Sequence, residues 1–303
     1  MYSNAKTIFQ DAILHSAWFN IKEFAVKVYI QTDIEGVAGF CFFENRKNSD
    51  AECIKHRYRM YQLLTDEVNA AVKACFDAGA NEVLVNDNHG SGYNILFEQL
   101  DERCQIIHGR SCTGKDWLEF FDETFDALVI IGAHAMAETP CAITPHSKWC
   151  VNGGEIFLSE ASMAAALAGD KNIPTVMVSG DDKVGAELLA KMPDLEFAQV
   201  KRAVSPYLAC SMIPSAACKL IYQKVRAGVE KRNEIKPYKI NGPVSLVLFD
   251  SDNHAPPLKA CGKEVSAPTI SEAFSAYLRN LPWYTLDLRY VDGYQFPAEK
   301  SRP

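Results

Sequence analysis

From Ala25 to about Val200 the chain alternates short runs rich in valine and isoleucine with longer segments of helical period, and this rhythm constrains the fold more than any other feature. A short apolar run bounded by turn residues suits a strand covered on both faces, and a crossover helix returns the chain to the start of the next parallel strand. Strands are expected at 26–31, 82–86, 105–108, 127–132, 175–179 and 196–200. Between them, 66–78 reads as a helix closed by Gly79 and 160–168 as one closed by Gly169, because glycine accepts the left-handed turn after a helix. The fold class is therefore α/β, a mostly parallel sheet flanked by helices.

After about Pro206 the rhythm changes to a long helix (215–231), a Pro-flanked basic linker (236–239), a strand (244–249), a helix (270–281) and a strand (284–290). This reads as a second, smaller α+β domain. The expected organisation is an N-terminal extension over 1–24, an α/β metal-binding catalytic domain over 25–205, and the α+β domain over 206–303, serving a substrate pocket or oligomer contacts. Ile8, Ala12, Ile13 and Phe19 fit one face of an amphipathic helix, while Lys6, Asp11, Lys22 and Glu23 interrupt any apolar core of a secretory signal.

At 303 residues and 48% hydrophobic the chain can bury a substantial core. Its net charge of -7 opposes a nucleic-acid or anionic-membrane partner, both of which select for excess lysine and arginine. No stretch approaches the roughly 20 apolar residues of a membrane helix. Ten cysteines are scattered without a C-x-x-C pair, which points to reduced thiols and a cytoplasmic protein.

Open parallel sheets bind ligands at the carboxyl ends of their strands. The polar residues immediately after the expected strands are Asp33 and Glu35, then Asn86, Asp87 and His89, then His134, then Asp181 and Asp182; Glu160 opens a helix that comes after Asn152-Gly153-Gly154. In an extended D-x-E the two carboxylates point the same way, with Cα atoms about 6–7 Å apart. Two histidines arriving from separate strand ends add imidazole nitrogens, and the mixed shell favours zinc or a similar transition metal over magnesium or calcium. Five ligands exceed the need of one tetrahedral zinc, so two ions roughly 3.5–4 Å apart are the economical reading. Singly, each residue has an ordinary structural role open to it: Asp33 in a turn, His89 on a backbone carbonyl, Glu160 at a helix N-terminus. Recurrence at strand ends is what favours a metal.

These residues resemble the metal-dependent D-aminopeptidases of the dipeptide-transport operon type, peptidase family M55. Thr32-Asp33-Ile34-Glu35-Gly36 is similar to the family's D-x-E-G opening, Val83 to His89 to its V-L-V-N-D-x-H, and Gly132-Ala133-His134-Ala135 to its G-x-H-A. Thr139-Pro140, His146-Ser147 and the strand ending in Gly180-Asp181-Asp182 come next in family order. The resemblance implies metal ligands at Asp33, Glu35, His89, His134 and Glu160, a catalytic role for His146, and two Zn²⁺ per subunit. It implies hydrolysis of short peptides with a free N-terminus by a two-metal-activated water, with a D-alanine-like preference, in a homo-oligomeric ring such as a decamer. Around Glu160 the chain departs from the family: Ser159, Ser162 and Ala164 stand where Gly, Gly and Asn are usual. A two-metal hydrolase of another amide or ester, and a non-catalytic zinc-dependent assembly protein, are the alternative readings.

Other candidates have plainer readings. Gly109 to Asp116 is one residue short of a phosphate-binding loop and ends in Asp where a hydroxyl is needed, so it reads as a surface loop. Asp181 and Asp182 suit either substrate positioning or the cap of a helix over 183–189. Cys141 and Cys150 flank His146 without a neighbouring base, so no thiol nucleophile is expected.

Overall fold

Short apolar runs and helical segments alternate in space as they do in sequence. The computed structural model describes residues 25–41, 51–109, 117–250 and 257–280. In chain order the elements are β1 (Val26–Thr32), α1 (Ala51–Asp77), β2 (Ala80–Asp87), β3 (Gln105–Ile107), β4 (Ala127–Ala133), β5 (Lys148–Val151), β6 (Ile156–Leu158), α2 (Glu160–Asp170), β7 (Thr175–Asp181), α3 (Asp182–Lys191), β8 (Glu196–Ser205), β9 (Leu208–Ser211), α4 (Pro214–Glu230), β10 (Val244–Asp250), β11 (Lys259–Ala260), β12 (Val265–Ala267) and α5 (Ile270–Arg279). The expected extension over 1–24, the strand over 284–290 and most of the phosphate-loop-like segment lie outside the described residues.

The main sheet has the order β3-β2-β1-β4-β7-β8-β9. All its neighbours are parallel except the terminal β8–β9 pair. Side chains alternate across it: Val28 and Ile30 of β1, with Val129 and Ile131 of β4, join the core under α1 and α4. Tyr29, Leu128 and Ile130 face the other way, onto α2, α3 and a second sheet. Burial on both faces explains why these strands read as continuous apolar runs.

The second sheet is small and antiparallel, of order β11-β10-β5-β6 with β12 also on β10. It draws strands from both sides of the expected division at 205/206, since β5 pairs with β10 from Lys148↔Phe249 to Val151↔Leu246. Conversely, β9 and α4, expected in the smaller unit, belong to the main sheet and its helix layer. The sheets are layers that share a core, because β5 and β6 carry Trp149, Val151 and Leu158 into the same cluster as Leu128 and Ile130.

Two helix boundaries differ from expectation for physical reasons. Helix α1 begins at Ala51 and not at residue 66, because the described apolar side chains buried in its first half form a thin stripe, Met60, Leu63 and Leu64, among Lys, His and Arg. It ends as expected, with Gly79 at φ 93°. Gly169 lies inside α2, and the left-handed residue after that helix is Asn172, at φ 62°. Glycine is required at 169 for space: a Cβ there would lie 1.8 Å from the carbonyl oxygen of Tyr238. No described helix is long and apolar enough to cross a membrane.

Alanine at an ordinary helix position stabilises by roughly 1 kcal/mol over glycine. Gly169→Ala is expected to do the opposite, costing about 1–3 kcal/mol as the 238 backbone is forced away. Denaturant unfolding with an unchanged m-value is the measurement.

Candidate metal centre

Strand order places β1 beside both β2 and β4, the point at which the winding reverses and loops splay apart. Thr32 pairs with Asp87 on one side and Ile131 on the other, so Asp33, the His89 loop and His134 leave the sheet at the same edge. The loops are packed backbone to backbone. Gly36 N donates to Gly132 O at 2.7 Å, and a Cβ on Gly36 would lie 2.2 Å from the carbonyl oxygen of Ala133. Gly132 adopts φ 80°, and a Cβ there would lie 2.2 Å from Asp33 O.

Each candidate ligand has its own local support. Asp33 donates its N–H to Ile131 O (2.8 Å) and accepts from Ile34 N on Oδ1 (2.9 Å). The His89 loop is folded around Asp87, whose carboxylate accepts from Asn94 N (2.6 Å), Ile95 N (2.9 Å) and Asn94 Nδ2 (2.8 Å); Asn94 Nδ2 also donates to His89 O (2.5 Å). Glu160 is the first residue of α2, capped by Ser159, whose side chain accepts from Ser162 N (3.2 Å). His146 lies on a loop with left-handed residues at Cys141, Thr144 and Ser147, anchored by Ile143 N donating to Asp181 Oδ2 (3.1 Å).

Six side chains converge as two groups, Asp33 with Glu35 and His89, and His134 with His146 and Glu160; within each, potential ligand atoms lie within 4.8 Å of one another. His89 Nε2 is 3.2 Å from Glu35 Oε1. His134 Nε2 is 3.5 Å from Asp33 Oδ2 and 3.8 Å from Glu160 Oε2, which joins the groups. The imidazoles of His134 and His146 stack with centroids 3.8 Å apart. His134 Nδ1 donates to Ala135 O (2.8 Å) and His146 Nδ1 to Thr144 O (2.9 Å), which sets both tautomers with Nε2 as the acceptor nitrogen.

Burial pushes Asp33 well above the usual carboxylate range, and the adjacent Glu35 pushes it further. Burial opposes ionisation of Glu35 and Glu160 as well. His89, His146 and Asp33 nevertheless hold Glu35 well below the usual range, and His134, His146 and Ser147 hold Glu160 down to about 2. Burial works against a charged His134, yet Glu160, Asp33 and Glu35 raise it well above an ordinary histidine. His146 is lowered by burial and by His134. Such a cluster attracts positive charge strongly. His134 Nε2 and Glu35 Oε2 are buried with no hydrogen-bond partner among the described residues, an arrangement that a cation completes. Imidazole with carboxylate, and a His Nδ1 held by a backbone carbonyl, are the chemistry of a zinc-type site.

The profile of the peptidase M55 family, described as D-aminopeptidase, matches residues 26–261. The chain belongs to that family. That family is one of aminopeptidase hydrolases. A D-aminopeptidase of Bacillus subtilis (strain 168) is 28% identical over 219 residues, covering 70% of this chain and 77% of that protein. The solved structure of the Zn-dependent D-aminopeptidase DppA from Bacillus subtilis, described as a self-compartmentalizing protease, superposes with a TM-score of 0.71 at 24% identity, covering 84% of this chain and 96% of that one.

Within this member of the family, the remaining strand-end residues have structural work. Asn86 donates to Trp117 O (3.2 Å), Asp181 caps α3 through Lys183 N and Val184 N (both 2.9 Å), and Asp182 accepts from Ala203 N (2.6 Å). Two charged residues that the strand-end pattern does not reveal lie directly behind the centre. Lys201, 2% exposed, donates from Nζ to the carbonyls of Glu35, Val37 (2.9 Å) and Phe40 (2.8 Å). Glu67, also 2% exposed, accepts from Ala38 N at 2.9 Å. The only hint in sequence is a lysine and a glutamate set among apolar residues, which resembles any charged surface position.

Burial raises Glu67 to about 7, against the Ala38 N–H and Lys201, which lower it. The unfolded chain ionises near 4.5, so its contribution to stability is fully present below that pH and is lost as pH rises to about 7. One pKa unit is about 1.4 kcal/mol, so the total is on the order of 3 kcal/mol. Glu67→Gln keeps the acceptor for Ala38 and cannot ionise. Its stability relative to the parent protein is expected to rise from pH 4.5 to 7 and then level off, as read from paired denaturation curves.

Proposed function

We propose that the chain is a zinc-dependent aminopeptidase that removes the N-terminal residue of short peptides, with preference for a D-residue such as D-alanine, using two zinc ions per chain. The observation that carries this reading is the meeting of Asp33, Glu35, His89, His134, His146 and Glu160 at one sheet edge, from the loops after β1, β2 and β4 and from the start of α2. Glu35 and His89 would hold one ion, His134 and Glu160 the other. Asp33, which groups with Glu35 and His89 and whose Oδ2 lies 3.5 Å from His134 Nε2, would add its carboxylate between the two sets. Zinc bound there supplies Lewis acidity and brings the pKa of water toward about 7.

The chain's own residues supply the rest. His146, fixed through Nδ1 by Thr144 O, would exchange a proton through Nε2 with the leaving amine. Its stack on His134 keeps the ring beside the metal ligands. The requirement for a free N-terminus and the D-residue preference rest on the aminopeptidase activity named for the family and its B. subtilis relative.

Homo-oligomeric assembly, with a decameric ring as the expected form, is supported by the self-compartmentalizing description of the similar structure and by apolar side chains exposed on the β8–β9 hairpin and beyond, Val204, Tyr207, Leu208 and Ile213. Cytoplasmic location is supported by the described cysteines, none of which forms a disulfide with another described residue.

Zinc-loaded protein is expected to hydrolyse D-alanyl peptides faster than matched L-alanyl peptides, and a chelator to abolish both activities. Two bound zinc ions with no hydrolysis of any peptide would leave a binding protein instead. His146→Ala is expected to retain both ions and lose about 10²–10⁴-fold in kcat, the range of general acid–base catalysis. Loss of one zinc from that variant would make His146 a ligand, since its ring nitrogen lies within 4.8 Å of the possible ligand atoms of His134 and Glu160.

A further inference from the structure

Lys201 is on β8, far in sequence from the loop it touches, and its inward direction has a local cause. Pairing of β7 with β8 steps from Gly180↔Gln199 to Asp181↔Lys201, leaving Val200 as an extra residue. This bulge buries the consecutive residues Val200 and Lys201, where strict alternation would send one of them to solvent. The ammonium has three protons, and three carbonyls receive them: Glu35, Val37 and Phe40. It also lies over the Phe40 ring, 5.7 Å from the centroid.

The peptide unit joining Glu35 to Gly36 is held at both ends. Its carbonyl accepts from Lys201 on β8, and its N–H donates to Gly132 O on β4. Rotation of that peptide would redirect the Glu35 side chain, whose Oε1 is 3.2 Å from His89 Nε2. Nothing in the chemistry of hydrolysis requires a cation at this depth, beneath the loop and beyond reach of a substrate. Without Lys201, Val37 O would keep the Phe40 N–H (3.1 Å), but the buried loop would lose the donor that ties Glu35 O to β8.

We infer that Lys201 is a positioning residue that presets the 35–40 loop for metal, so that the group formed by Asp33, Glu35 and His89 is built before an ion arrives. This rests on the reading of those three residues as ligands. Outer partners of metal ligands typically contribute about 10–100-fold in metal affinity. Lys201→Met, of similar length without donors, is expected to weaken binding at one of two zinc or cobalt sites by at least about 10-fold in chelator competition, leaving the other site near its parental affinity. Lys201→Gln, with a two-proton amide, is expected to fall between. Gly169→Ala serves as a control for general destabilisation and is expected to leave both affinities unchanged.

Wild-type affinity in Lys201→Met, or an equal loss in Gly169→Ala, overturns the inference. Absence of metal from the parent protein would instead overturn the ligand reading. Should neither lysine variant fold, hydrogen exchange of the metal-stripped parent decides the matter: amides 36–40 are expected to be protected without zinc nearly as well as with it, and protection that appears only on zinc addition rules the preset loop out.

Discussion

The carbonyl of Ala133 is the point about which the centre is assembled. Ideal Cβ atoms on Gly36 and Gly180 would lie 2.2 and 2.4 Å from its oxygen, and one on Gly132 would lie 2.2 Å from Asp33 O. A methyl group at any of these positions would force β4 away from β1 or from β7. Metal coordination tolerates displacements of only about 0.2 Å in ligand distance. The glycine of D-x-E-G, that of G-x-H-A and that of S-G-D therefore act as one device, setting how closely β1, β4 and β7 deliver their loops. A backbone-to-backbone contact is a strong basis for such a site, because it has no rotamers to populate.

That close approach concentrates charge. Asp33, Glu35 and Glu160 meet three imidazoles in a partly water-excluded corner, and burial opposes the charged forms of these carboxylates and of His134 and His146. Removing charged groups from water costs several kcal/mol per ion even after relaxation. Mutual attraction between carboxylates and imidazoles offsets part of this cost, and a bound cation offsets more. Stability is thus sacrificed locally and recovered elsewhere, in the continuous apolar layers above and below the main sheet. Lys201 and Glu67 lie at the junction: both are charged groups buried behind the loop, and both bond its backbone.

Much of this is legible in the sequence. The six strands of the main sheet that carry parallel pairing are readable because each holds a short run of apolar or alternating apolar residues, and Asp33, Glu35, His89 and His134 are the polar residues just past three of them. His146 and Glu160 lie on no strand end of the main sheet, and only the resemblance to a family motif marks the histidine. The layering of the second sheet is not readable, since β5 is only four residues long and pairs with β10 nearly a hundred residues later. Neither periodicity nor turn chemistry encodes that partner. Gly169 misleads for a related reason: glycine marks a helix end by its dihedral freedom, but it also marks a tertiary contact with a backbone 69 positions away, and sequence does not separate the two uses. Lys201 is hidden because a bulge breaks the period of two that would have revealed its direction.

Around Glu160, where the chain departs from the family motif, other interactions fix the start of α2. Ser159 is extended, at φ -73° and ψ 174°, a conformation any residue adopts, so glycine is not required before the glutamate. Its hydroxyl supplies the N-cap, typically worth about 1 kcal/mol to a helix. Ser162 Oγ donates to Glu187 Oε1 (3.0 Å), and Glu187 is paired with Lys191 (3.0 Å), which ties the start of α2 to α3. Ala164 is fully buried and continues the alanine face of α2 into the core where an amide would need a partner. The helix is therefore started by a side-chain network, and Glu160 still faces His134 from its first turn, where the helix dipole also favours a carboxylate. The carboxylate oxygen of Glu160 is thus brought to His134 without the glycines and asparagine of the family motif.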